Sequence, residues 1–165
     1  QWIDPANPLE GLRFCGRVSE DFKLSSGTWV NTGAFRTRVV GAFAPVVRDA
    51  VITGQDREHL AAMGFIDENA CRQVCGADAS VAAEELVRHP ALLQWLKTRL
   101  DAFNRDAGGS SQRLARLVLL AEPPVAEAFE ITEKGYVNQR AVMQRRSAVV
   151  DSLYAASIAP GVVTA

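Results

Sequence analysis

A stretch of strand formers interrupted by Ser25-Ser26-Gly27 constrains this chain more than any other feature. Val18, Phe22 and Leu24 lie on one side of the interruption and Trp29 and Val30 on the other. Aromatic and β-branched residues favour a pleated, half-buried surface, and a serine-glycine turn lets the chain reverse on itself. The segment Phe14 to Val30 therefore predicts a two-stranded hairpin with Arg17, Glu20, Asp21 and Lys23 grouped on it as polar residues.

Beyond the hairpin the hydrophobic period alternates between helix and strand. Phe35, Val39, Val40 and Phe43 recur at helical spacing ahead of Pro45, predicting a short helix over Ala34 to Phe43. Val46 to Ile52 and His59 to Ile66 then read as paired strands around the polar Gly54-Gln-Asp-Arg-Glu58. Asp67 is placed to cap a helix through Cys75, and Ser80 with Glu84 to cap another reaching Arg88. Pro90 opens the strongest helix, with Leu92, Leu93, Leu96, Leu100 and Phe103 as its stripe and Gly108-Gly109 ending it. Leu114 to Leu120 predicts a third strand, Glu122-Pro-Pro124 breaks it, a polar loop follows from Glu130, and Asn138 to Tyr154 predicts a final helix. The sum is an α+β domain: an N-terminal hairpin, then a small three-stranded sheet packed with helices. Residues 1–11, with Pro5, Pro8 and Gly11, read as a lead-in from a missing N-terminal domain, 12–156 as the domain itself, and 157–165 as a frayed tail.

At 165 residues the chain is long enough to bury a core unaided, and 48% apolar content with a formal net charge of −1 is a globular balance. The basic residues Arg140, Arg145 and Arg146 of the last helix are offset by acids elsewhere, so they read as a solvated or domain-facing surface and no nucleic-acid partner is expected. No apolar run approaches the roughly 20 residues of a membrane-spanning helix and no secretory signal pattern opens the chain, so the expectation is a cytoplasmic protein without a membrane partner. Cys15, Cys71 and Cys75 match neither zinc nor redox spacing; no metal site is expected, and they read as reduced, buried small residues.

The string Gly16-Arg17 through Lys23-Leu24, followed by Gly27-x-Trp29-Val30, resembles the hinge-and-hairpin motif of adenylate-forming acyl-CoA ligases. Within that superfamily it is most similar to bacterial feruloyl-CoA synthases, with long-chain fatty acyl-CoA synthetases next. The resemblance covers nearly the whole chain and implies the small C-terminal lid that follows a large N-terminal adenylation domain. It implies ATP, Mg²⁺ and CoA as cosubstrates of the complete enzyme and an aromatic carboxylic acid as substrate. Two half-reactions follow: formation of an acyl-adenylate with loss of pyrophosphate, then displacement of AMP by the CoA thiol.

Site residues follow from the same resemblance. Lys134, in Glu130-Ile-Thr-Glu-Lys-Gly-Tyr136, matches the Thr-x-Lys form of the catalytic loop found in long-chain acyl-CoA synthetases. The commoner pattern puts glycine before lysine; here the order is reversed and Tyr136 occupies the commoner lysine slot, so the alternative of an ordinary loop lysine stays open. Glu20 falls at the hinge acid and Asp21 one step from it. Arg17 is implied as a nucleotide-binding residue, with a structural pair to either acid as its alternative. Lys23, Ser25, Ser26, Gly27, Thr28 and Trp29 are implied as CoA-binding, although a strand tryptophan belongs more often to a core and Lys23 equally suits a solvated strand edge. Two other readings keep the fold: an interaction module without chemistry, and a lid serving a reductase or carrier-protein acceptor, in which Lys134 keeps its role.

Overall fold

The computed structural model describes residues 3–4, 6–11 and 20–165. Phe22–Lys23 (β1) and Trp29–Val30 (β2) form the predicted antiparallel hairpin, with Phe22 opposite Val30 and Lys23 opposite Trp29. Helix α1 (Thr32–Ala42) follows at once, its first turn capped by the Asn31 side chain, which accepts from the Ala34 N–H at 2.8 Å. The main sheet is built from Val47–Thr53 (β3), Leu60–Ile66 (β4), Leu114–Leu120 (β5) and Val162–Thr164 (β6), in that spatial order. β3 and β4 are antiparallel, β4 and β5 parallel, and β5 and β6 antiparallel. The parallel step is made by α2 (Glu68–Cys75), α3 (Ala83–Leu86) and α4 (Pro90–Arg105), which carry the chain from one strand to the next.

Burial explains why β4 reads as an unbroken apolar run. Leu60 and Ala62 face the cluster shared with α1, α2, α3 and α4, where Leu92, Leu96 and Leu100 are wholly buried. Ala61, Met63 and Phe65 face the opposite cluster, with Val142 and Leu153 from the C-terminal helices. A strand covered on both faces has no solvent side to alternate with. Phe22 is seated over the β3–β4 turn at Gly54. A Cβ there would lie 2.9 Å from Leu60 Cδ2 and 3.2 Å from the Phe22 ring, and φ is +149°, so only glycine fits.

Three expectations are corrected. The sheet has four strands, because the tail expected to fray supplies β6: Leu117 pairs with Val163 and Val163 is buried. Ser80 caps nothing. It lies in a turn, and α3 starts at Ala83 with Ala82 at its N-cap and no side-chain cap. The long C-terminal helix is two, α5 (Gln139–Arg145) and α6 (Ser147–Ser152), broken at Arg146 with φ −104° and ψ 33°. The alternative of a core position for Trp29 does not hold: the residue is 63% exposed, because a two-stranded hairpin has one covered face and Leu24 and Val30 occupy it.

Cys71 is buried and Cys75 half-buried, and burial pushes the Cys71 thiol up to about 12. Cys15 lies outside the described residues. Among the described residues no helix is long and apolar enough to cross a membrane.

Candidate functional site

The Lys134 segment is a small hairpin turn. Ile131 bridges to Val137, the Thr132 N–H donates to the Tyr136 carbonyl at 2.8 Å, and the Gly135 N–H returns to the Thr132 carbonyl at 2.8 Å. Gly135 takes φ +79°, which is what a glycine after the lysine provides. The Thr132 hydroxyl accepts from the Tyr136 N–H at 3.2 Å. Lys134 and Tyr136 both project from the turn into solvent.

The base of this turn is fixed by a buried acid that the sequence reading left in a polar loop. Glu130 has no exposed surface. Its carboxylate accepts from Arg146 Nε at 2.9 Å, from Arg146 Nη2 at 2.8 Å, and from the Val125 N–H at 2.8 Å. The Asn138 N–H donates to the Glu130 carbonyl at 2.8 Å, so both strands of the turn end on one residue. The Arg146 fork holds the Glu130 carboxyl down at about 2, helped by the Val125 N–H and against the cost of burial. Arg146 also donates to the carbonyls of Glu122 and Pro123 at 3.0 and 2.9 Å. It is thus an internal tie rather than the solvated or domain-facing cation expected. Arg145 pairs with Glu122 at the surface.

Lys134 lines a cleft of about 630 Å³ with Glu20, Gly33, Arg36, Arg48 and Tyr136. Both arginines are already engaged. Arg36 holds Asp49 through two nitrogens, one of them Nε at 2.6 Å, and Arg48 holds Asp67 at 2.8 and 2.6 Å. Asp67 also caps α2 by accepting from the Ala70 N–H at 2.9 Å; that bond first, then Arg48, lowers its pKa below the usual carboxylate range. Lys134 makes no ion pair with a described residue, so its ammonium is the charge the cleft holds available for an anion.

Glu20 and Asp21, the residues expected at the hinge, are tied to α1. The Thr32 N–H donates to Asp21 Oδ1 at 2.9 Å and the buried Thr32 hydroxyl donates to the Glu20 carbonyl at 2.7 Å. Glu20 lines both the Lys134 cleft and a second cleft of about 350 Å³ shared with Asp21, Thr53, Gln139, Arg140 and Met143. Arg17 lies outside the described residues.

The CoA-binding candidates sit elsewhere. Lys23, Ser25, Ser26, Gly27 and Trp29 are exposed and Thr28 is half-buried; none of them lines either cleft. The turn is closed by the Leu24 N–H donating to the Thr28 carbonyl at 3.0 Å, with Gly27 at φ +80° and the Ser26 and Thr28 hydroxyls bonded at 2.9 Å. It is moored to the β3–β4 turn by Ser25 N–H to Arg57 carbonyl at 2.9 Å and Asp56 N–H to Lys23 carbonyl at 3.0 Å. The Lys23 ammonium lies 5.0 Å from the centre of the Trp29 ring. The structure therefore brings Glu20 and Lys134 to one cleft and leaves the β1–β2 turn as a separate polar and aromatic surface. Glu130, Arg146, Thr32 and Gln139, which position these groups, were not singled out by motif; a burial pattern, not a residue type, marks them.

The profile of the family described as AMP-binding enzyme C-terminal domain matches residues 21–158. Among solved structures the chain is similar to the A-PCP didomain of carboxylic acid reductase from Segniliparus rugosus in complex with AMP, at 20% identity and a TM-score of 0.64, covering 93% of this chain and 19% of that one. It is similar also to the A domain of the same reductase with AMP and a co-purified carboxylic acid, at 19% identity and TM-score 0.64, over 88% of this chain and 21% of that one. The adenylation domain of a carboxylate reductase from Mycobacterium chelonae matches at 16% identity and TM-score 0.61, again over 88% and 21%. The chain spans about a fifth of the length of these solved chains. No curated protein matched.

Proposed function

Since this chain belongs to the family of AMP-binding enzyme C-terminal domains, we propose that it is the mobile lid of an ATP-dependent carboxylate-CoA ligase, that it works against an N-terminal adenylation domain of the same polypeptide, and that its acid is aromatic, of the ferulate type. Lys134 is the catalytic residue of this reading. The observation that carries it is the exposed ammonium at the tip of a turn whose base is locked by the buried Glu130–Arg146 pair. A preorganised cation of this kind stabilises charge that develops as a carboxylate oxygen attacks the α-phosphorus of ATP and pyrophosphate leaves.

The residues present fit the cosubstrates. An uncommitted ammonium beside a glycine turn suits a phosphate, and a serine-rich turn with an exposed indole suits the amides and chain of pantetheine. ATP with Mg²⁺ supplies the activated phosphorus, and the CoA thiol supplies the nucleophile of the second step. What the chain itself does is distribute these tasks: Lys134 to the first step, Lys23 and Ser25 to Trp29 to the second, and Glu20 with Asp21 to the backbone rotation between them. Arg17 is assigned to the nucleotide by resemblance alone.

A second reading, with the thiol carried on a protein domain instead of CoA, draws on the fold likeness to a didomain containing a carrier protein. Thiol-acceptor assays separate the two: acyl-CoA release supports the first, acyl transfer only to a phosphopantetheinylated carrier the second. For Lys134, the test is Lys134→Ala in the complete polypeptide, read by acyl-adenylate formation. A loss of about 10² to 10³ in rate is expected, and an unchanged rate removes the assignment.

A further inference from the structure

One buried amide connects the hinge acid, the outer sheet strand and the helix that follows the lysine turn. Gln139 is the first residue of α5, directly after Asn138, whose side chain caps that helix. It is 3% exposed. Its Oε1 accepts from the Ile52 N–H at 2.9 Å, and its Nε2 donates to Glu20 Oε2 at 3.1 Å. Ile52 belongs to β3, an outer strand of the sheet, so Gln139 takes a strand N–H that has no strand beside it.

Both ends of this amide therefore have a distinct task. The acceptor end fastens α5, and with it the C-terminal end of the Lys134 turn, to β3. The donor end reaches 119 positions back in sequence to the hinge acid. Glu20 is held on the lid from two sides, by Gln139 at its carboxylate and by Thr32 at its carbonyl. Asp21 is held by the Thr32 N–H. A rotation about the Glu20 N–Cα bond, or farther upstream, carries the side chain and carbonyl together and leaves these bonds intact; one about the Glu20 Cα–C bond turns the side chain away from the downstream chain and must break the bond to Gln139.

We propose that Gln139 is a positioning residue that couples the hinge to the catalytic turn: its bond to Glu20, made in this chain, is lost when the chain turns about the Glu20 Cα–C bond, and so it biases the balance between the two orientations of the lid. The inference rests on the reading of the chain as a two-position lid. A contact present in only one of two states shifts their ratio by its own worth, and a hydrogen bond to a charged group is worth roughly tenfold or more.

The test exploits the two ends separately. Gln139→Glu keeps an acceptor for the Ile52 N–H but sets a second carboxylate against Glu20. The swapped pair Glu20→Gln with Gln139→Glu restores a donor and an acceptor in reverse order. Gln139→Leu removes both ends. In the complete polypeptide, Gln139→Glu should change the ratio of the adenylation rate to the thiol-transfer rate by about tenfold, and the swap should bring that ratio back to within two- to threefold. Equal losses in both half-reactions, or a swap no better than the single variant, overturn the proposal. On the 165-residue chain, hydrogen exchange at Ile52 should stay slow in Gln139→Glu and become fast in Gln139→Leu, and the melting temperature lost in Gln139→Glu should be regained in the swap. If the wild-type polypeptide forms no acyl-adenylate, the ligase reading falls, and the chain measurements still decide the coupling: a swap that regains no stability refutes it.

Discussion

Arg146 closes two nitrogens on the two oxygens of Glu130, Nε to Oε1 at 2.9 Å and Nη2 to Oε2 at 2.8 Å, with 7% of the arginine side chain and none of the glutamate's exposed. The pair carries a consequence for both stability and site. Leaving one member of a buried ion pair alone strands a charge in the interior, at a typical cost of about 3–5 kcal/mol. Arg146→Ala also frees the carbonyls of Glu122 and Pro123. For a chain of this size that predicts a fall in melting temperature of about 6–20 °C. Arg145→Ala, whose close partner Glu122 is exposed and which stands 3.6 Å from Glu130, should cost far less. Thermal denaturation of the two variants side by side checks this; equal effects would show that burial of the Glu130 pair does not matter.

Glu130 should also mark the acid limb of the stability curve. Its folded carboxyl sits at about 2 against an ordinary value of 4.5, chiefly because Arg146 bonds the ionised form. The group binds a proton more readily in the unfolded chain, so its contribution is complete above about pH 4.5 and is lost as pH falls toward about 2. Asp67 and Glu122 are lowered in the same direction. Urea titrations between pH 6 and 2.5 should show a steep loss of stability below pH 4.5, and Glu130→Gln, though less stable at neutral pH, should show a shallower one. A parallel slope in that variant refutes the assignment.

How much of this was legible follows from where each residue's constraint comes from. The strands β3, β4 and β5 and the helices α1, α2 and α4 announce themselves through a local period, joined in α2 by the Asp67 cap and in α4 by Pro90, whereas α1 starts at Thr32, ahead of the expected Ala34, on an Asn31 cap that the period does not mark. The tail did not, since Val162–Thr164 is a strand only through pairing with β5, and nothing within three residues can say so. The break at Arg146 was hidden for the same reason. Its helix propensity is good, and its departure is set by Glu130, sixteen positions earlier. At the site, Lys134 and the β1–β2 turn were visible as motifs, whereas Gln139 was not: a glutamine beside an arginine looks like surface until the fold brings β3 to it.

A second pH effect is expected at neutral to mildly acidic pH. The His59 ring stacks on Tyr154 at 5.1 Å between centroids, and Arg57 lies 4.9 Å from the same tyrosine. Burial first, then the charge of Arg116, lowers the His59 pKa below 6.5, while its bond to Leu153 and the nearby Glu58 oppose this. The folded state thus holds the neutral imidazole. Its stabilising contribution is present above about pH 6.5 and is lost as pH falls through the lowered folded value. Stability of the wild type should decline from pH 7 to 5, and His59→Phe should flatten that part of the curve. Imidazole titration followed by NMR gives the same answer independently: a midpoint at or above 6.5 contradicts it.

Trp29 tests whether the exposed side of the hairpin serves a ligand or the fold. Its ring is 63% exposed and its nearest charged partner is Lys23, 5.0 Å away, whereas its neighbours Leu24 and Val30 are buried at 2% and 1%. Removing an exposed side chain outside the core shifts stability by about 0.5 kcal/mol or less, which here is about 1–2 °C. If the indole meets the acceptor arm after rotation, Trp29→Ala should raise the KM for the thiol acceptor by about tenfold and leave acyl-adenylate formation as it was. Val30→Ala provides the contrast, since it opens a cavity under the hairpin and should cost about 1–3 kcal/mol with no selective effect on either half-reaction. A drop of more than 5 °C in Trp29→Ala would make the ring a structural element. An equal loss in both half-reactions would detach the hairpin from the acceptor and leave Lys134 as the sole point of chemistry on this domain.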